Sequence, residues 1–344
     1  MVSGLEMLIF IVVILALIFT LTNGFHDAGS VVATLIYCGA ASPERAVLLA
    51  SVFGLIGAMF SGSMVADTVT KIIIMAPGRE LMVVVAAAVF GAVVWNIATW
   101  KIGMPSSSTH ALIGGLIGAA SAYNGVQTVQ WGVTELFSGH LAGVVKVVAA
   151  LVFSPLLGFT LAFSIQKITH IVLRNAKFKI NEVIKKVQWF MAAGLAFSHG
   201  ANDSQKVSGL IAVCLFSAGV LKNSNVTTTI KLGVGTVMFL GTALGGWKIM
   251  KTLGRGIYVL RPIHSMNSML SSGLSIILAT FTGAPVSTTH VVVGGIAGVG
   301  AADEYKMVNW NVGREIVTAW LITIPCSALT AGILFSLING RLLQ

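Results

Sequence analysis

Long apolar runs separated by short polar stretches make up most of this chain. The first extends from Leu5 to about Thr22, and comparable runs follow at 46–74, 81–100, 141–165, 187–200, 227–250, 258–280 and 315–338. These runs are much longer than a buried strand requires, and the chain carries 38 glycines. Closely packed membrane helices favour small residues, whereas the strands of a membrane barrel alternate in polarity. The pattern therefore predicts an all-α protein.

One polar element interrupts this pattern twice. Gly103 to Gly118, GMPSSSTHALIGGLIG, returns 180 positions later as Gly283 to Gly298, GAPVSTTHVVVGGIAG, with eight of the sixteen residues identical. Each copy has a Gly-x-Pro break and a run of hydroxyls immediately before an apolar, glycine-rich stretch, which is a helix N-cap pattern. The chain is therefore two copies of one unit.

A second polar element is also duplicated. Thr22 to Ile36, TNGFHDAGSVVATLI, matches Ser198 to Ala212, SHGANDSQKVSGLIA, at an offset of 176 that pairs Asp27 with Asp203 and His26 with Asn202. An aspartate within a membrane span costs roughly 2.5–3.5 kcal/mol on insertion scales. Recurrence at matched positions favours an ion or proton site over a pair of interhelical hydrogen-bonding sites.

Composition and charge indicate where these helices lie. Hydrophobic residues make up 56% of the chain, charged residues only 9%, and the mean hydropathy is +0.92. Soluble domains are about a quarter charged, so we expect a multi-pass protein of the cell membrane. The net charge is +10, but six of the 21 basic residues lie between Lys167 and Lys186. A short basic loop between spans is typical of the cytoplasmic side, where it meets lipid headgroups, and no nucleic-acid partner is expected.

The duplication and the charge distribution together predict a topology. No Lys or Arg precedes the first span, which favours an external N-terminus and an odd number of crossings before the basic loop. A second half with the same count would insert upside down and leave the C-terminus outside. We expect a first repeat at 1–166, a cytoplasmic loop at 167–186 and an inverted repeat at 187–344, with broken helices, re-entrant hairpins and about 10–12 helical segments.

The hydroxyl elements predict an anion site. Backbone N–H groups at the start of a helix are unsatisfied and carry the positive end of its dipole, and the hydroxyls add neutral donors. The candidates are Ser107, Ser108, Thr109, Ser287, Thr288 and Thr289. His110 and His290 follow directly, and we interpret them as structural hydrogen-bond partners more readily than as proton carriers.

The aspartate elements predict a cation site. Asp27 and Asp203, with Asn23 and Asn202, offer hard oxygen ligands for Na⁺, or carboxylates that carry a proton. An anion near two carboxylates would be repelled strongly unless a cation lay between them. Binding of the cation and of the anion should therefore strengthen each other.

At these residues the chain resembles the inorganic phosphate transporter (PiT) family of sodium- or proton-coupled phosphate permeases. Gly200-Ala201-Asn202-Asp203 is similar to the opening of that family's GANDVANA signature, Asn23 to Asp27 resembles its first-half variant, and the two P-x-S-[ST]-T-H elements match as well. The resemblance covers essentially the whole chain. It implies an inverted-repeat fold, inorganic phosphate as substrate, cation symport and a homodimer, and we expect sodium to be the coupling ion. Proton coupling, and sulfate or arsenate as substrate, stay open.

The chain also departs from the family pattern. Ser204-Gln205-Lys206 stands where the signature has Val-Ala-Asn, so no role of that second asparagine is transferred. Lys206 lies one turn beyond Asp203, and either a counter-ion or a lysine facing the cytoplasm would suit it. We therefore leave it outside the predicted site.

Two other classes of protein deserve comparison. A passive channel would also bring two half-helix starts together, but it has little use for paired aspartates. An intramembrane serine protease would need Ser and His to meet between the repeats, because adjacent residues at one helix start do not face each other. The sequence therefore favours a secondary transporter and not an enzyme.

Overall fold

The structure, a computed structural model, describes residues 4–342 and is nearly all helical over that range. The first three residues of the predicted first repeat and the last two of the second lie outside the described residues. The α-helices in the described part are α1 (Gly4–Tyr37), α2 (Pro43–Phe60), α3 (Met64–Thr70), α4 (Arg79–Ile102), α5 (Ser108–Asn124), α6 (Val133–Phe137), α7 (Gly143–Leu173), α8 (Ile180–Ser217), α9 (Thr228–Leu244), α10 (Trp247–Gly256), α11 (Pro262–Phe281), α12 (Thr288–Glu304) and α13 (Trp310–Leu342).

The predicted apolar runs fall on these helices, and several are able to cross a membrane. Within the described range, α1, α2, α4, α7 and residues 317–340 of α13 are long and apolar enough, and α9 with α10 forms a further candidate that is bent by 67°. Large apolar side chains on their outer faces are exposed, such as Phe10, Phe153 and Leu321. Lipid accommodates such side chains as well as a protein core does. The protein is thus a multi-pass, helical membrane protein, as expected.

The two aspartate elements do not break their helices. Polar residues around Asp27 follow the first apolar run, but α1 continues through them to Tyr37, and α8 continues past Asp203 to Ser217. A helix satisfies its own backbone groups, so polar side chains need only find partners on neighbouring helices. The aspartate elements therefore interrupt the apolar pattern of these helices but not their helical backbone.

The breaks lie at the hydroxyl elements instead. Gly103 (φ 74°) and Gly283 (φ 68°) adopt the left-handed conformation immediately after α4 and α11, which glycine tolerates without strain. The chain then turns into α5 and α12, each 17 residues long. Ser107 and Ser287 cap these helices by accepting hydrogen bonds from the N–H groups of His110 and His290. The N-cap prediction is confirmed in both copies.

The two halves are interleaved. Helix α5 packs against α13, α7 against α12, α1 against α9, and α2 against α8, so each pair joins one half to the other. Glycines permit these approaches: a Cβ atom on Gly118 would clash with the carbonyl oxygen of Ala328 in α13, and one on Gly298 with that of Phe159 in α7. The halves therefore form a single body.

Matched details outside the site support the duplication. Trp131 donates its indole N–H to the carbonyl oxygen of Val126 (2.8 Å), and Trp310 donates to that of Tyr305 (3.2 Å), each five residues back.

The basic segment predicted at 167–186 spans the end of α7 and the start of α8, and residues 174–179 connect the two helices.

Candidate functional site

Asp27 lies between the starts of α5 and α12. Thr289, at the start of α12, donates its hydroxyl proton to Oδ1 (3.0 Å), and Ser108, at the start of α5, donates to Oδ2 (3.2 Å). Asp27 itself is 2% exposed. One carboxylate on α1 is thus hydrogen bonded to both hydroxyl elements, which brings together three segments that are far apart in sequence.

Asp203 lies on α8 near the same point and is also 2% exposed. Asn23 of α1 donates its amide to Oδ2 (3.0 Å), and His199 places Nδ1 3.6 Å from the same oxygen. One ligand atom from each of Asp27, His199 and Asp203 falls within 4.8 Å of the others. The two carboxylates that the sequence singled out therefore share one buried site.

Lys206 is part of this site. Its ammonium group donates to Asp203 Oδ1 (2.7 Å), to the hydroxyl of Thr109 (2.6 Å) and to the carbonyl oxygen of Val286 (2.8 Å). The residue is only 2% exposed, so it does not reach the cytoplasm. The three-residue spacing between Asp203 and Lys206 could have revealed this contact in the sequence, since residues three apart on a helix share a face.

Sequence reasoning also missed His199. Its Nδ1 is 3.0 Å from the hydroxyl of Thr288, so it links α8 to the start of α12. The 176-residue offset pairs His199 with Asn23, and both side chains lie beside Asp203. Applying the offset to every polar residue of α1 would have identified it.

His26 contacts the carboxylate of Asp27 as well. Its Nδ1 is 3.2 Å from Oδ1 of Asp27, and its Nε2 lies 3.4 Å from the hydroxyls of Thr99 and Ser106. This histidine therefore connects α1 to the end of α4 and to the segment before α5.

Comparisons with known proteins identify the family of this chain. The model of the phosphate transporter family matches residues 23–331. The chain belongs to this family. Curated relatives include the probable low-affinity inorganic phosphate transporters of Bacillus subtilis, 38% identical with 97% of this chain and 98% of the relative covered, and of Rhizobium meliloti, 38% identical with 93% of each covered.

A solved structure shares the fold of this phosphate transporter family member. The structure described as "The sodium-dependent phosphate transporter" superposes with a TM-score of 0.84 at 26% identity, over 97% of this chain and 99% of that one. The resemblance inferred from the four sequence motifs is thus confirmed.

The donor set of the site suits a hard cation. Besides the two carboxylates, the side-chain oxygen of Asn23 is buried and has no hydrogen-bond partner. A buried amide oxygen without a partner is costly unless something binds it. Carboxylate and amide oxygens are ligands that hard cations prefer, so Asn23, Asp27 and Asp203 fit the predicted sodium ion.

The predicted phosphate ligands have two kinds of surroundings. Ser107 and Ser287 cap their helices, as described above. The other four hydroxyls contact residues of α1 or α8 across the site: Ser108 and Thr289 contact Asp27, Thr109 contacts Lys206, and Thr288 contacts His199. The structure thus brings the two hydroxyl elements and the acidic residues together.

Asn202 supports the segment that precedes α12. Its amide nitrogen donates to the hydroxyl of Thr280 (2.9 Å) and to the carbonyl oxygen of Ala284 (3.1 Å), and its oxygen accepts from the N–H of Val286 (3.3 Å). The side chain is therefore engaged with this segment and with α11, whereas Asn23 contacts the carboxylate of Asp203.

His110 and His290 lie against each other one residue beyond the hydroxyls. Their ring centroids are 4.7 Å apart, and His290 also stacks on Trp320 of α13 at 3.7 Å. This contact holds the starts of α5 and α12 side by side. Both rings are buried, and neither nitrogen of His290 has a hydrogen-bond partner among the described residues.

Proposed function

We propose that this protein imports inorganic phosphate across the cell membrane by symport with sodium ions, through alternating access to a midplane site formed by both halves. The observation that carries the proposal is the position of Asp27, which accepts one hydrogen bond from the hydroxyl element of each half. A site shared in this way opens or closes when one half moves relative to the other, as in transporters built from inverted repeats.

Phosphate would bind at the paired starts of α5 and α12. The first backbone N–H groups of each helix and the hydroxyls of Ser108, Thr109, Thr288 and Thr289 would supply neutral donors, and a helix start favours an anion. Such donors recognise a tetrahedral oxyanion without adding fixed charge of their own. Ser107 and Ser287 would contribute indirectly, by holding the first turns in shape.

Cation binding would prepare this phosphate site. Ser108 and Thr289 direct their protons at Asp27 in this structure. A sodium ion on the Asp27 carboxylate would compete for the same oxygen lone pairs and release the two hydroxyls to donate to phosphate. The ion would also offset the repulsion between phosphate and the carboxylates, which is large in a buried site. Each ligand therefore raises the affinity of the other.

Sodium is the coupling ion that the ligand chemistry favours. The unpartnered Asn23 oxygen could bind a metal ion, but an amide oxygen is too weakly basic to carry a transported proton, and the similar solved structure is described as sodium-dependent. Proton coupling is the second candidate. Lys206 favours it, because its ammonium group already compensates Asp203 and leaves Asp27 as the carboxylate free to bind a proton.

The remaining expectations belong to the same proposal. Both termini would lie outside and the basic segment at 167–186 in the cytoplasm, in accordance with the positive-inside rule. The protein would work as a homodimer in contact with lipid. It would move phosphate without altering it, and so would not be an enzyme.

Uptake of radiolabelled phosphate into proteoliposomes tests this function. An inward sodium gradient should drive accumulation above equilibrium, and Asp27→Asn should abolish the gradient-driven part. Asp67→Asn is the matched control, because Asp67 is an exposed aspartate outside the aspartate elements and the hydroxyl elements. Uptake that only equilibrates would identify a passive channel. Accumulation driven by a proton gradient alone would replace sodium by protons as the coupling ion.

A further inference from the structure

We infer that the ammonium group of Lys206 is a tethered cation that permanently fills the cation position beside Asp203, so that the free coupling cation binds in the Asp27 half of the site alone. The inference rests on the proposed function and concerns how many cations accompany each phosphate.

The surroundings of Lys206 are those of a bound cation. Its three ammonium protons meet three different oxygens: the carboxylate of Asp203, the hydroxyl of Thr109 and the main-chain carbonyl of Val286, at 2.6–2.8 Å. Carboxylate, hydroxyl and carbonyl oxygens are also the ligands of hard metal ions. No proton of the ammonium group is left for another partner.

The other half of the molecule shows the same arrangement without the ammonium group. The 176-residue offset pairs Lys206 with Ser30. Ser30 is 2.7 Å from the hydroxyl of Thr289, and Thr289 donates directly to Asp27. In the second half, the ammonium of Lys206 stands between the carboxylate of Asp203 and the hydroxyl of Thr109. One half thus carries a fixed positive charge that the other half lacks.

A lysine at this position excludes a mobile cation. Lys206 stands where the GANDVANA signature has its second asparagine. Asparagine has an oxygen that can bind a metal ion, whereas a charged lysine has three donors and no acceptor. A second cation on Asp203 would be repelled by the ammonium group at short range in a buried site. In this half, the fixed charge of the Lys206 ammonium group therefore takes the place of a transported cation.

The number of cations per phosphate measures the inference directly. In proteoliposomes with a known phosphate gradient, the opposing cation gradient is adjusted until there is no net phosphate uptake. The ratio of the two gradients at this balance gives the number of cations per phosphate for the wild-type protein and its coupling ion. Lys206→Asn should raise the number by one, because Asp203 then requires a mobile cation. Lys206→Arg, which keeps the fixed charge, should leave the number unchanged. An unchanged number in Lys206→Asn, or a loss of phosphate affinity without a change in number, would overturn the inference.

A rescue experiment tests the same point if Lys206→Asn does not fold. Asp203→Asn leaves the ammonium group unpaired, and its charge should abolish cation-driven uptake. The double variant Asp203→Asn with Lys206→Asn removes both charges and should restore coupling at the wild-type cation number, at a reduced rate if packing suffers. A folded double variant that stays uncoupled would show that Asp203 itself binds the mobile cation, and would overturn the inference.

These outcomes are separate from failure of the proposed function. If the wild-type protein accumulates no phosphate under any cation gradient, the symport proposal fails. If it does accumulate phosphate, the variants decide the role of Lys206 alone.

Discussion

The hydroxyl of Thr289 donates a hydrogen bond of 3.0 Å to the carboxylate of Asp27, although 262 positions separate the two residues in the chain. This bond connects the half-helix of one half to the long first helix of the other. It joins a group proposed to bind phosphate to a group proposed to bind the cation. The proposed coupling between the two ligands would therefore need no relay through intervening residues.

Thr289→Val should weaken phosphate binding. Valine has a similar shape but no hydroxyl, so phosphate loses a donor, and a hydrogen bond to a charged group contributes about 1.5–3 kcal/mol. We expect the half-saturating phosphate concentration in uptake assays to rise about tenfold or more. Thr160→Val is the control, since the Thr160 hydroxyl bonds only carbonyl oxygens of its own helix. Equal behaviour of the two variants would remove Thr289 from the phosphate site.

Asn202→Ala should loosen the segment before α12. Two hydrogen bonds join Asn202 to this segment and a third joins it to Thr280 of α11, so we expect a lower melting temperature in detergent and weaker phosphate binding. Sodium affinity measured in the absence of phosphate then separates two roles, because phosphate binding itself changes the affinity for sodium. An unchanged affinity indicates a purely supporting side chain, whereas a lower affinity supports the prediction that Asn202 also binds sodium.

Gly118→Ala should separate α5 from α13. The new methyl group would meet the carbonyl oxygen of Ala328, and forcing extra volume into a packed contact costs about 1–3 kcal/mol. Gly194→Ala is the matched control, because no atom of another helix in the described part of the chain lies within 4 Å of its Cβ position in α8. We expect a lower melting temperature for Gly118→Ala and an unchanged or slightly higher one for Gly194→Ala. The reverse order would contradict the interleaved packing of the two halves.

Asp303→Asn should weaken the contacts among α7, α11 and α12. Asp303 contacts His264 (2.6 Å), His170 (2.9 Å) and Gln166 (3.0 Å). The backbone N–H of Arg261 donates to Nδ1 of His264, so Nε2 carries the proton that reaches Asp303.

Asparagine would keep the shape but lose the charge that strengthens these bonds, at a cost of about 2 kcal/mol. The measurement is thermal unfolding in detergent, with Glu304→Gln as control, because Glu304 is the exposed neighbour. If both variants unfold at the wild-type temperature, the Asp303 contacts do not stabilise the protein.

The sequence by itself determined the class of the protein and most of its candidate chemistry. Apolar runs predict membrane helices because lipid demands a continuous apolar surface. The duplicated motifs identified the serines that cap α5 and α12 and the two aspartates that lie together. These signals are local, since each depends on the residue types within a few turns of one helix.

Tertiary structure alone decided which side chains meet. Lys206 reaches Thr109, which is 97 positions away, and the sequence was compatible with a lysine in the cytoplasm. His199 and Asn23 lie beside Asp203, whereas the amide of Asn202 turns towards the segment before α12. The sequence also did not determine whether α1 continues through Asp27, because the polarity of a side chain does not reveal whether a neighbouring helix supplies its hydrogen-bond partners. Such contacts depend on how the two halves interleave, and no local pattern encodes that arrangement.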